Sequence, residues 1–300
     1  MPASHTPTWL CFGLSGPVGR ALLQRRLPGD PPLLGVSRQA CGHTDGVRWI
    51  QACLPESPVS ADLPAVVAIA SLGPLDQFAQ WFAAQQLAPQ RVVALSSTSV
   101  VSKQASPDPA ERDLAARLLA AEQRLQRDCD ARGSALLLLR PTLIYGNGPD
   151  RSLSRVVALA RRWRLLPLSR RARGLRMPVH ADDLAAVVID SLRAAEPRRG
   201  VYALPGGETL AFVEMLRRTL AVSAPQARVV EVPDVAFRLA LAIARRLGLI
   251  AGATAGMLSR LDQDLLADAS AARRDLGYAP RPFHPWSEKQ DVAYRGDSAA

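Results

Sequence analysis

The sequence is nearly free of lysine, although its formal net charge is +10. Lys103 and Lys289 are the only lysines, so the positive charge comes almost entirely from arginine. The arginines occur singly or in pairs, as at Arg161 and Arg162, and form no long basic run with interleaved aromatic residues. This pattern argues against nucleic-acid binding. It favours a small anionic partner, which a positive potential attracts.

Cysteine is also scarce, and Cys11, Cys41, Cys53 and Cys129 lack the close spacing of a zinc site or a redox motif. We therefore expect reduced thiols and no metal.

Targeting and membrane-spanning signals are missing as well. The first residues lack the basic region and the long apolar region of a signal peptide. The most apolar long stretch, residues 236–255, is interrupted by arginines, which argues against a spanning helix. These absences predict a cytoplasmic protein with no membrane partner. A weaker alternative is a protein that binds a membrane surface through arginine-rich helices such as residues 155–164.

Short apolar runs alternate with helical patterns through the first two-thirds of the chain, which is typical of an α/β fold with a parallel sheet. The helix expected over residues 110–132 is rich in alanine and carries Glu122 and Arg124 on its polar face. The expected strands are residues 8–13, 33–37, 47–50, 66–70, 91–97 and 135–140, and the other early helices are residues 18–25 and 76–86.

A glycine-rich turn connects the first strand to the first helix in the pattern G-x-x-G-x-x-G. Gly13 permits the turn, Gly16 lets the backbone approach a pyrophosphate, and Gly19 permits close packing of strand and helix. The pattern predicts a Rossmann-type dinucleotide site, the alternative being a glycine-rich turn without a ligand. The residues expected to line the cofactor here are Gly13, Ser15, Gly16, Pro17, Val18 and Gly19.

The end of the second strand bears on the choice between NAD and NADP. An acidic residue there binds the ribose 2′-hydroxyl of NAD, but this sequence has Ser37 and Arg38. Arg38, aided by Arg20, has the charge and planar shape to pair with a 2′-phosphate. We therefore expect NADP(H) to bind in preference to NAD(H), the alternative being that Arg38 is a solvated surface arginine.

Four further motifs follow in order, within residues 91–100, 139–146, 176–185 and 276–281. Together with the glycine turn, they resemble the extended short-chain dehydrogenase/reductase family of nucleotide-sugar epimerases and dehydratases over about residues 8–283. The resemblance implies a doubly wound Rossmann domain (8–143 and about 177–203). It also implies a smaller α+β substrate lobe (about 144–176 and 204–290) and a flexible tail (291–300).

The resemblance also assigns roles to single residues. Ser97 matches the catalytic serine or threonine of the family. By analogy with sugar-nucleotide epimerases, Arg176 contacts a substrate diphosphate. His180, Asp182 and Asp183 begin a helix that we expect to return the chain to the Rossmann domain. The remaining cofactor residues are Ser37, Arg38, Ala70, Ser96 and Pro141, and the substrate residues are Thr98, Asn147 and Arg176.

The family's catalytic Tyr-x-x-x-Lys pair is missing. An alignment anchored on residues 119–123 places Leu114 at the tyrosine position and Leu118 at the lysine position. Leucine cannot transfer a proton, so the usual acid and base are absent. Tyr145, with Lys103 after the Ser97 motif, is the candidate replacement.

Two functions stay open at this point. One is an epimerase, dehydratase or reductase with a non-standard acid/base, acting on a small anionic substrate and able to form a homodimer. The other is a protein of the same fold that binds NADP(H) without turnover, as a sensor or a structural component.

Overall fold

A sheet of seven parallel strands forms the centre of the computed structural model, which describes residues 6–39, 41–56, 64–147, 153–246 and 260–285. The strands are β1 (Thr8–Phe12), β2 (Leu33–Ser37), β3 (Val47–Gln51), β4 (Val66–Ser71), β5 (Arg91–Leu95), β6 (Ala135–Pro141) and β11 (Gly200–Leu204). Their order in the sheet is β11-β6-β5-β4-β1-β2-β3, so the chain winds outward in both directions from β1 and β4.

Helices cover both faces of this sheet, which explains why its central strands are apolar at consecutive positions. In β4, for example, Ala68 and Ala70 pack into the core on one face and Ile69 into the core on the other. The first core lies under α1 (Pro17–Gln24) and α6 (Ala181–Arg193), which contact each other. The second lies under α2 (Leu75–Ala84) and α4 (Pro109–Ala131). A short helix, α3 (Ser99–Ser102), precedes α4.

A third hydrophobic core belongs to the later part of the chain. It is built mainly from α5 (Leu153–Trp163), α7 (Phe212–Ser223) and the parallel pair β8 (Leu165–Ser169) and β13 (Arg228–Val232). The remaining elements are β7 (Ile144–Tyr145), β9 (Leu175–Arg176), β10 (Val179–His180), β12 (Leu210–Ala211), α8 (Asp234–Arg246) and α9 (Ser270–Leu276).

The α/β, doubly wound fold expected from the sequence is confirmed, and each expected strand and early helix lies within about two residues of its expected position. The return of the chain after His180 is also confirmed, because α6 packs against α1. The placement of Glu122 on a polar face is wrong, since its side chain is buried.

None of the described helices combines the length and hydropathy needed to cross a bilayer. The exact lobe boundaries stay a prediction, and the expected tail (291–300) lies outside the described residues.

Candidate dinucleotide and substrate site

The glycine turn lies at the carboxyl end of β1, next to the turn that follows β4. Gly13 has φ +81°, and a Cβ atom there would lie 3.0 Å from the backbone carbon of Leu72. At Gly19 a Cβ atom would lie 2.3 Å from the Cα atom of Leu14. Gly13 therefore permits the close approach of two turns, and Gly19 permits the helix to pack on the strand.

The space beside this turn suits a dinucleotide. A Cβ atom at Gly16 would meet only the Gly13 carbonyl oxygen, at 3.2 Å, and one at Gly73 would meet nothing within 4 Å. Gly16 is the N-cap of α1, and its helix start has no side-chain cap, so the first-turn amides and the helix dipole face this space. The Ser71 hydroxyl is buried at the end of β4 without a hydrogen-bond partner among the described residues. These features fit a bound pyrophosphate.

The other residues expected at the cofactor contribute in different ways. Ser15 is exposed on the turn, and Pro17 is the first residue of α1. The side chains of Val18 and Ala70 are buried in the first core, so only their backbones can contact a ligand.

Arg20 fastens the glycine turn to the loop after β7. Its NH1 group donates to the Ser15 carbonyl at 2.6 Å, and its Nε group donates to the Asn147 carbonyl at 3.0 Å. Arg38 is exposed at the end of β2, beside half-buried Ser37. The two arginines expected at a 2′-phosphate are therefore in different surroundings, and Arg20 is committed to backbone carbonyls.

Ser96, Ser97 and Thr98 lie where β5 ends beside β6. The Ser96 amide donates to the Leu139 carbonyl at 2.7 Å, and the Thr98 amide donates to the Pro141 carbonyl at 3.0 Å. The Ser97 Oγ accepts a hydrogen bond from the Ser99 amide at 3.1 Å, at the start of α3. Its own proton stays available for a substrate oxygen, because in that bond Ser97 is the acceptor.

Leu114 and Leu118 are half-buried on α4. Leu118 packs against the second core, which contains Phe12 and Phe78. The structure thus gives the two positions an apolar surface that can pack but cannot exchange a proton.

Tyr145 and Lys103, the candidate replacements, have separate partners. The Tyr145 hydroxyl donates to the Pro282 carbonyl at 3.4 Å and accepts from the His284 amide at 3.2 Å. Tyr145 is only 3% exposed, and burial raises the pKa of its hydroxyl. The Lys103 Nζ lies 3.5 Å from Glu111 Oε1 at the start of α4. These contacts fasten Tyr145 to the carboxyl-terminal segment and give no support for its expected role as acid/base.

Arg176 is buried under the segment around residue 260. Its guanidinium donates to the carbonyl oxygens of Leu175, Gln263 and Arg260 at 2.7–2.8 Å. Burial is the main reason that its pKa falls to about 10. These guanidinium N–H groups are already hydrogen-bonded to backbone carbonyl oxygens. The expected contact with a substrate diphosphate therefore requires that the segment around residue 260 move away from Arg176.

Asn147 and the start of α6 belong to one polar network. The Asn147 side chain donates to Asp182 at 2.5 Å, and Arg281 Nε donates to Asp183 at 2.8 Å. The Asp182 amide donates to His180 Nδ1 at 3.1 Å, so this nitrogen carries no proton. Burial lowers the pKa of His180. The network links the glycine turn, through Arg20, to the carboxyl-terminal segment.

Two features of the site were not foreseen. Glu122 accepts hydrogen bonds from Ser96 and Arg140 directly behind the Ser97 turn. The buried Ser71 hydroxyl was missed because a serine that ends an apolar strand gives no distinctive signal. For Glu122 a signal existed, since Arg140 would otherwise lack an acidic partner near the carboxyl end of β6.

Solved structures of similar fold cover nearly the whole chain, whereas no family model and no curated protein matches the sequence. A MoeE5 complex with UDP-glucuronic acid and NAD superposes with a TM-score of 0.66 and 18% identity, covering 92% of this chain and 94% of that one. UDP-glucuronic acid 4-epimerase from Bacillus cereus, with NAD, has a TM-score of 0.68 and 15% identity, covering 92% of each chain. TunA, an NAD-dependent NDP-hexosamine 5,6-dehydratase, has a TM-score of 0.64 and 15% identity, covering 92% and 93%.

The sheet order and the glycine turn define a Rossmann-type dinucleotide-binding fold. More particularly, the fold is similar to that of solved structures that include a UDP-glucuronic acid 4-epimerase in complex with NAD and an NAD-dependent NDP-hexosamine 5,6-dehydratase.

The expected preference for NADP(H) is wrong. The similar structures hold NAD. The physical reason is that a missing carboxylate does not by itself make a phosphate site. Arg38 is exposed, and Arg20 is held by the carbonyls of Ser15 and Asn147.

Proposed function

We propose that this chain binds NAD(H) at the glycine turn and acts as an epimerase- or dehydratase-like oxidoreductase on a nucleotide-sugar-like anionic substrate. The observation that supports this proposal most directly is that α1 begins at Gly16 without a side-chain cap, beside open space at Gly16 and Gly73. Support also comes from the fold, which is shared with enzymes whose complexes contain NAD and UDP-sugars. The net charge of +10 favours an anionic substrate.

The chain's own residues limit the chemistry. A bound dinucleotide would supply the hydride acceptor. Ser97, half-exposed at the end of β5, would donate a hydrogen bond to a substrate oxygen. Leu114 and Leu118 would exclude water from their side of the site. A proton acceptor from the substrate itself or from solvent is then needed, which makes the acid/base non-standard.

A second candidate is an NAD(H)-binding protein without turnover. The specific observation in its favour is that Tyr145 and Lys103 have partners away from each other, while the usual positions are leucine. In that case the cofactor stabilises the fold or reports the redox state of the cell.

Calorimetric titration with NAD and NADH tests the binding of NAD(H) at the glycine turn, which both candidate functions require. We expect Gly16→Val to remove measurable binding, because its side chain would fill the space left for the pyrophosphate. Gly29→Val is the matched control, since a Cβ atom at Gly29 meets nothing within 4 Å. Equal binding by wild type and Gly16→Val would refute the site.

Turnover separates the two candidates. The purified protein is incubated with NAD and a panel of UDP-sugars, and both the products and the absorbance of reduced cofactor are followed. Conversion that is lost in Ser97→Ala but kept in Ser102→Ala supports the oxidoreductase. Tight NAD binding without conversion of any sugar supports the second candidate.

We further propose a cytoplasmic location and a homodimer. None of the described cysteines forms a disulfide, in keeping with a reducing compartment. Sedimentation velocity of the purified protein measures the oligomeric state directly.

A further inference from the structure

The exposed face of α8 is an apolar feature that the proposed function does not use. Val235, Leu239 and Ile243 are 81%, 62% and 51% exposed. They are spaced four residues apart, so they form one stripe along the helix. The opposite side of α8 is half-buried, with Phe237 packed against the third core. We call this stripe, with Arg238 and Arg246, the α8 face.

The α8 face is basic as well as apolar. The Arg238 side chain is 75% exposed, and Arg246 at the end of the helix is exposed. Asp234 is the acidic residue of α8, and Arg238 lies 3.6 Å from it. No acidic side chain therefore stands beside Leu239 or Ile243 on the helix itself.

The neighbouring segment strengthens this charge. Residues 153–176 contain arginine repeatedly and no aspartate or glutamate. Arg161 and Arg162 are exposed there, and Trp163 and Leu165 beside them are 50% and 51% exposed. The nearest acidic partner on β13, Glu231, is already bound by Arg173 and Arg217. Both α8 and this segment thus combine exposed apolar side chains with an excess of arginine over acidic residues.

We propose that the α8 face binds the surface of a bilayer that contains anionic phospholipid. An amphipathic helix with aliphatic residues on one side and arginines at its flanks lies in the plane of such a surface. The aliphatic side chains enter the boundary of the acyl chains, while the long arginine side chains extend to the phosphates. This function is additional to the NAD site and replaces the sequence-based expectation that the protein has no membrane partner.

Charge complementarity distinguishes this partner from the others. A symmetric dimer through the α8 face would bring the same arginines against each other. Nucleic acid would match the arginines but would leave Val235, Leu239 and Ile243 without apolar contacts. An anionic bilayer offers acyl chains to the aliphatic side chains and phosphates to the arginines.

Vesicle co-sedimentation tests the proposal. Wild-type protein is mixed with vesicles of equal parts phosphatidylglycerol and phosphatidylcholine, and with vesicles of phosphatidylcholine alone. We expect binding to the first, little to the second, and weakening with added salt. Leu239→Gln with Ile243→Gln should lower the partition coefficient about tenfold or more. Arg162→Gln with Arg238→Gln should lower it about twenty-fivefold, or about fivefold for each arginine.

Matched variants outside α8 and outside residues 153–176 control for general effects. Leu27 and Val201 are exposed aliphatic residues, at 58% and 47%. Arg117, like Arg238, has an aspartate at 3.6 Å, and Arg127 is exposed like Arg162. The variants Leu27→Gln with Val201→Gln, and Arg117→Gln with Arg127→Gln, should bind vesicles as wild type does. All variants should keep the NAD affinity of wild type. A failure of the proposed NAD site is therefore distinguishable from a failure of vesicle binding.

Several results would overturn the proposal. Equal binding to both kinds of vesicle, or no binding to either, excludes an anionic surface. A wild-type dimer that dissociates in Leu239→Gln with Ile243→Gln would show that a second copy covers the face. A fall in melting temperature in that variant, without vesicle binding by wild type, would show that the chain itself covers it. Binding of duplex DNA that competes with vesicles, without sensitivity to the two aliphatic substitutions, would identify nucleic acid instead.

Discussion

Arg140 on β6 and Glu122 on α4 form a two-point ion pair behind the Ser97 turn. Arg140 Nε lies 2.9 Å from Glu122 Oε1, and its NH2 group contacts the other carboxylate oxygen. The Ser96 hydroxyl donates to the same Oε1 atom. The Glu122 side chain is only 5% exposed. The pair therefore fixes the end of β5, from which Ser97 projects, to the long helix.

Arg140→Met should destabilise the protein strongly, because it leaves a buried carboxylate without its cation. We expect a loss of about 3 kcal/mol in the free energy of unfolding, measured by urea denaturation. The double variant Glu122→Met with Arg140→Met should recover much of that loss. A loss under about 1 kcal/mol in the single variant would mean that the pair behaves as a surface ion pair.

Gly19→Ala should destabilise the protein, although alanine is the better helix former by about 1 kcal/mol. Its Cβ atom would lie 2.3 Å from Leu14 Cα and 2.5 Å from the Gly13 carbonyl oxygen. Relief requires that the backbone of the turn shift, so we expect a loss of at least about 2 kcal/mol and weaker NAD binding. Gly29→Ala, where the added methyl meets nothing within 4 Å, serves as the control in the same urea titration. A neutral Gly19→Ala would contradict the packing described for α1.

Stability should fall as the pH drops below 6.5, partly because of His180. Burial holds the pKa of His180 below its ordinary value of 6.5, so the folded state binds fewer protons than the unfolded state in that range. The free energy of unfolding therefore decreases as the pH falls from 6.5 toward the folded pKa, and the full contribution is present above 6.5.

His180→Asn isolates this effect, since asparagine can still cap α6. Thermal melts at several pH values should show a weaker dependence in the variant below 6.5 than in wild type. Parallel curves for wild type and His180→Asn would contradict the assignment.

Leu114→Tyr with Leu118→Lys should create or raise turnover of a nucleotide sugar. Positioned proton transfer contributes roughly 10²–10⁴-fold to rate, and the alignment anchored on residues 119–123 gives these positions to the family's tyrosine and lysine. Leu118→Lys alone places a charge against the second core, so its melting temperature is measured alongside. Leu114→Phe with Leu118→Met is the control and should leave turnover at the wild-type level. If the tyrosine and lysine variant has unchanged turnover and retains NAD binding, the alignment of α4 is incorrect.

The sequence by itself determined the alternation of strands and helices and the position of the glycine turn. These are local properties: apolar periodicity sets each element, and Gly13 and Gly19 occur where a side chain has no room. The position of Leu114 and Leu118 on the long helix could also be predicted, because helix periodicity needs no tertiary information.

The tertiary structure decided which charged groups meet. Arg176 is 87 residues from Gln263, and Arg20 is 127 residues from Asn147, yet each pair is hydrogen-bonded. Partners so distant in sequence leave no periodic pattern, so the arginines looked available for phosphates when their donors were bound to backbone carbonyls. Glu122 looked solvated for the same reason, because the helix pattern records which face is apolar but not that Arg140 lies beneath it. The exposed stripe on α8 likewise depends on which side of that helix the third core covers, which only the packed chain determines.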